Sequence, residues 1–225
     1  MISSSANSHV KHIRSLAADR RERRRERLFM LEGVRLVSDA LANTQNLALV
    51  LYAPEQLAIN AEGQALLTQL EALPNAFAAT AQVVASAADT VHPQGVVALA
   101  HWPRIVPGKP GLLLVLDAVQ DPGNLGTLLR SAEAVGVVQL LCSTGTVDVY
   151  SPKVVRAAMS AHFRLAIEQD LDWDELGTRL NHVDHVYATD AEATMPYYAA
   201  DWRQPAALVL GNEARGMSAE AYAYT

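Results

Sequence analysis

The chain of 225 residues holds a single cysteine, Cys142, so no internal disulfide can form. That cysteine sits in VVQLLCS, an apolar run that reads as a buried strand where a thiol packs as a small apolar side chain. No apolar stretch reaches the ~18–20 residues a membrane-spanning helix needs, and the amino terminus is polar and then basic, without a hydrophobic signal region. A cytoplasmic location is therefore expected, with no membrane partner. HExxH and cysteine–histidine groupings are absent, and His182 and His185 fall in a polar NHVDH segment, so no metal is expected. GxGxxG is also missing, which excludes the ordinary dinucleotide fingerprint. Charged residues make up only 19% against 50% apolar, a balance that argues for ordinary globular cores rather than disorder.

Charge is unevenly placed. Residues 1–40 carry nine Lys and Arg against five Asp and Glu, a net +4 that leaves −10 for the rest of a chain whose total is −6. Such a split suits a basic arm that follows phosphates, attached to a body that does not bind them indiscriminately. DRRERRRERL is equally readable as a solvated helix laced with salt bridges. The carboxylates of DLDWDELGTRL are best explained as helix capping at Asp172 or Asp174. Trp102, Trp173 and Trp202 are dispersed and read as packing residues.

Along the chain, 7–27 reads as one or two polar helices, 28–31 as a strand and 33–42 as an amphipathic helix. Then come a strand at 47–52, a helix at 61–73, short strands near 76–79, 83–85 and 96–100, and a brief helix at 87–91. HWPRIVPGKPG, with three prolines and two glycines, reads as a connector. The expected domains are thus 1–102, a linker at 103–111, and 112–225. The last reads as strands at 112–117, 137–142, 164–167, 184–189 and 206–210 alternating with helices at 124–135, 152–161 and 173–180. That alternation predicts an α/β fold with a mostly parallel sheet.

Two segments carry the chemistry. LLLVLDAVQDPGNLGTLLRSAEAVGV (112–137) runs from an apolar strand through a Pro-Gly turn into a helix, with Asn124 placed as an N-cap and Arg130 on another side of the same helix. ALVLGNEARGMS (207–218) repeats the pattern, with Gly211 allowing close approach to the backbone and Glu213 where apolar packing ends. An amide, a guanidinium and a carboxylate can converge there.

Asn and Arg six positions apart after D-x-x-x-D-P-G, followed about eighty residues later by G-N-E-x-x-G-M-S, resemble the two leading motifs of the SpoU (TrmH) ribose 2′-O-methyltransferases. The resemblance implies catalytic roles for Asn124, Arg130 and Glu213, and S-adenosylmethionine held around Thr189, Leu210, Gly211 and Asn212. It also implies a trefoil-knot domain and a homodimer. VKHIRSLAADRRERRRERLFMLEGVRLVSDAL is more loosely similar to the family's small substrate-binding domain, which resembles certain ribosomal proteins. An RNA partner, ribosomal RNA by preference, then falls to Lys11, Arg14, Arg21, Arg24, Arg25 and Arg156. The family's third motif, which closes the knot and the cofactor pocket, is not met before Thr225, so the knot is expected to be incomplete in these residues unless more follow. In VVRAAMSAHFRL the family often has Ser and Gly in place of Ala158 and Ser160. Rival readings are a noncatalytic RNA-binding or ribosome-assembly scaffold, a transfer-RNA 2′-O-methyltransferase, and a nucleotide-binding metabolic enzyme.

Overall fold

The structure, a computed structural model, describes residues 1–43 and 46–225. Its first elements are α1 (Ser8–Ala18), α2 (Arg20–Glu26), β1 (Leu28–Glu32), α3 (Val34–Ala42), β2 (Leu47–Tyr52), α4 (Pro54–Leu57), α5 (Ala61–Glu71), β3 (Ala76–Ala78), α6 (Ala81–Ala87) and β4 (Val96–His101). There follow β5 (Leu112–Leu116), α7 (Pro122–Ala134), β6 (Gln139–Ser143), α8 (Pro152–Ala158), β7 (Ala166–Leu171), α9 (Trp173–Leu180), β8 (His185–Ala188), β9 (Ala206–Leu210) and α10 (Ala219–Tyr222). The chain divides into two compact units, residues 1–103 with 150–163 and residues 104–149 with 164–225.

In the first unit the sheet runs β1-β4-β2-β3, antiparallel except for the β2–β3 pair. Val10, Ile13 and Leu16 of α1 meet Leu28, Met30, Leu49, Leu51, Val97 and Leu99 of the sheet in one core. The basic run is not uniformly solvated. Arg23 is buried, and its Nη1 donates to the carbonyls of Leu16 at 2.6 Å and Ala17 at 2.9 Å, satisfying the open end of α1. Arg25 pairs with Glu22 and Glu26, as the salt-bridge reading expects.

Residues 83–85, expected as a strand before a brief helix at 87–91, lie instead inside α6. Thr80 accepts from the Val83 amide as N-cap, and Val83, Val84 and Ala87 turn inward at helical spacing. Met159 and Ser160 follow α8 with φ of 46° and 74°, and the buried Ser160 hydroxyl donates to Asp39 at 2.6 Å. A left-handed backbone at Ser160 is the conformation that glycine adopts without steric cost.

The second unit is the expected parallel sheet, in the order β7-β6-β5-β9-β8. Cys142 is fully buried in β6, and burial pushes its thiol well above the ordinary range. The chain moves from β5 outward through β6 to β7, then crosses to β8 and returns inward to β9. The direction of winding therefore reverses between β5 and β9. Loops leaving the carboxyl ends of such a pair diverge and leave a crevice, the usual ligand position in open α/β sheets.

Candidate active site

Two loops meet over that crevice. After β5, Asp121 rather than Asn124 caps α7: its Oδ1 accepts from the Asn124 amide at 2.8 Å, and Pro122 takes the first helical position, where no amide is needed. Asn124 is then in the first turn with its side chain released from capping. After β9, Glu213 turns back across the crevice. Its carboxylate accepts from Asn124 Nδ2 at 3.1 Å and from the backbone amides of Gln120 and Asp121, each at 3.2 Å. Partial burial alone would raise its pKa. Hydrogen bonds from its own amide, Asn124, Gln120 and Asp121 outweigh that and hold it below the usual glutamate range.

The second loop is folded tightly on itself. Asn212 and Gly216 exchange backbone hydrogen bonds of 2.8 and 2.9 Å, and Asn212 Oδ1 accepts from the amides of Ala214 and Arg215. Asn212 Nδ2 donates to the Ala118 carbonyl at 2.7 Å, fastening the loop to the end of β5. A Cβ at Gly211 would lie 2.4 Å from Gly216 C and Met217 N, so the close approach that requires glycine is the loop's own return. Ala188 pairs with Val209, which sets Thr189 beside Leu210 at neighbouring strand ends. Thr189 donates to the Val209 carbonyl through its amide at 3.1 Å and its hydroxyl at 3.0 Å. The Tyr222 hydroxyl of α10 donates to Asp190, next along the exit from β8.

The structure thus brings together Asn124 with Glu213 and sets Thr189 beside Leu210, with Gly211 and Asn212 following Leu210 into the loop. Arg130 is exposed on α7, six residues past Asn124, which puts it ~9 Å further along and on a different face. In the other unit, Lys11, Arg14, Arg21, Arg24 and Arg25 are all exposed on α1 and α2. Arg156, on α8, places Nη1 2.7 Å from Asp89 and 3.8 Å from the buried Glu32. Sequence reasoning missed the part of Asp121, although Asp-Pro ahead of a helix is itself a start signal.

Comparison with known proteins finds matches to both parts of the chain. The SpoU rRNA Methylase family profile matches residues 111–225, and the MRM3-like substrate binding domain matches residues 7–98. The 23S rRNA (guanosine(2553)-2′-O)-methyltransferase RlmP of Bacillus subtilis is 30% identical over 221 residues, covering 97% of this chain and 84% of that one. The mitochondrial rRNA methyltransferase 3A of Danio rerio is 31% identical over 272 residues and covers 96% of this chain, which spans 60% of that relative's length. Among solved structures, an AdoMet-bound rRNA methyltransferase from Sinorhizobium meliloti superposes with a TM-score of 0.82 at 28% identity, over 99% of this chain and 84% of that one.

Proposed function

Because the chain belongs to the SpoU rRNA methylase family, we infer that it methylates a ribose 2′-hydroxyl of ribosomal RNA, with S-adenosylmethionine as donor. The single observation that carries the reading is the Asn124–Glu213 bond across the β5–β9 crevice, joining the two motifs that define the resemblance. The residues present fit the donor. Neighbouring strand ends at Thr189 and Leu210–Gly211 offer backbone polar groups beside Leu210 and the buried Met217, a mixture suited to an adenosine and an amino-acid tail. When bound, S-adenosylmethionine supplies an electrophilic methyl group on its sulfonium.

A ribose hydroxyl is a weak nucleophile, so positioning dominates what the protein must do. Glu213 and Asn124 lock the two loops together. Arg130 presents a planar fork to the phosphate beside the target ribose. A guanidinium stays protonated at neutral pH, so Arg130 holds the phosphate that assists the hydroxyl's proton loss instead of taking the proton itself. In the first unit, Lys11, Arg14, Arg21, Arg24 and Arg25 track RNA phosphates, with Arg156 as a further contact. The homodimer, the trefoil knot and the cytoplasmic setting belong to the same reading, as does the division at 103–111.

The test is a map of ribose methylation in RNA from cells with and without the protein. One ribosomal position should lose its methyl group. A loss confined to transfer RNA would overturn the substrate assignment, and no loss anywhere would overturn the reaction.

A further inference from the structure

Asp117 ends the β5 segment and is 3% exposed, a buried acid on which no step above depends. Its two oxygens serve two different parts of the chain. Oδ1 accepts from the Ser143 hydroxyl at the end of β6, at 3.2 Å, and Oδ2 accepts from the Ser218 amide, at 2.6 Å. Ser218 is the last residue of the loop that carries Glu213, and its own hydroxyl caps α10. The next residue, Ala118, has φ of 54°; its carbonyl accepts from Asn212 Nδ2 and its amide donates to Ser143 Oγ. Two tethers of the 211–218 loop, from Asn212 and Ser218, therefore land on two consecutive residues. A non-glycine residue in the left-handed region is disfavoured and persists where neighbours over-determine it.

We propose that Asp117 is a positioning residue for the donor site: from beneath, it fixes the Ser218 end of the loop, and through the loop's internal Asn212–Gly216 clasp it fixes Glu213 against Asn124. This rests on the functional reading above for the identity of the donor. An acid suits the position because both facing groups, a hydroxyl and an amide, are donors. An apolar residue would leave the Ser218 amide without its acceptor, and a buried or half-buried unmet donor weakens local structure.

The experiment compares the full chain with D117A, with D117L, which fills the same space without an acceptor, and with D117N, which keeps one oxygen for Ser218. S-adenosylmethionine affinity is read by calorimetry, RNA affinity separately, and amide exchange over 211–218 against the β1–β4 sheet. D117A and D117L should weaken donor binding by at least about tenfold and speed exchange over 211–218. RNA affinity and exchange in the other unit should stay unchanged, and D117N should recover most of the donor affinity. Equal donor binding by all four proteins, unchanged exchange at 211–218, or a parallel fall in donor and RNA affinity with loss of fold would overturn the proposal. If the unaltered protein takes up no S-adenosylmethionine, the functional reading fails instead, while exchange over 211–218 still decides whether Asp117 holds the loop.

Discussion

Asn124 Nδ2 donates to Glu213 Oε1 at 3.1 Å across 89 residues of chain, and the same carboxylate receives the amides of Gln120 and Asp121. Glu213→Gln keeps the shape but places an amide where donors converge, so methyl transfer should fall by at least about tenfold. Adding Asn124→Ala to Glu213→Gln should cost less than Asn124→Ala alone, because the two residues act as one unit. The pH dependence follows from the lowered pKa of Glu213. A depressed carboxylate contributes order that is full above the ordinary glutamate range and is lost as pH falls through its lower folded value. The Gln120 amide resonance should therefore shift less at acid pH in Glu213→Gln than in the unaltered protein.

Arg130→Ala should abolish most turnover while S-adenosylmethionine affinity is retained, and Arg130→Lys should not restore it, since an ammonium lacks the planar fork. Radiolabelled methyl transfer and calorimetry measure the two arms. Undiminished transfer by Arg130→Ala would remove this residue from the chemistry.

The basic segment separates by burial. Arg23→Ala should destabilise the protein by ~1–3 kcal/mol in denaturant melts, because two carbonyls at the end of α1 lose their donor. Exposed Arg14→Ala and Arg21→Ala should leave the melt within ~0.5 kcal/mol, while each lowers RNA affinity and reduces the salt slope by ~0.9. Salt slopes identical to the unaltered protein would deny these residues phosphate contacts.

Ser160 sets backbone cost against a hydrogen bond. Ser160→Gly relieves a left-handed residue by ~1–2 kcal/mol and forfeits the bond to the Asp39 carboxylate, worth ~1.5–3 kcal/mol, so it should melt no higher than the unaltered protein and within ~2 kcal/mol of it. Ser160→Ala keeps the strain and loses the bond, and should melt lower. Equal melts for the two variants would show that φ at this position carries no cost.

The strands were legible wherever apolar residues ran together between turn signals, as at 112–116 and 206–210, because burial on both faces of a parallel sheet leaves that mark. The winding reversal between β5 and β9 was not, since strand order depends on pairings that no local pattern encodes. Val83–Ala85 misled for a related reason. Three apolar residues fit either period, and the deciding signal was the Thr80 cap upstream. At the site, Glu213 and Asn124 were identifiable as chemical groups, but Pro122-Gly123 reads as a turn with Asn124 as the cap, which hides Asp121 as the cap that frees Asn124 for Glu213. Arg23 gave no sign of differing from its neighbours, since the carbonyls it reaches belong to the preceding helix.

The placement of β9 between β5 and β8 bears on how the protein is made. As the chain leaves the ribosome, β5, β6 and β7 can pair in order, yet one edge of β5 stays unsatisfied until residues 206–210 arrive to fill it. Completion of the β5–β9 crevice is thus deferred to a late, long-range insertion, the kind of step that slows folding and leaves an open strand edge until it occurs.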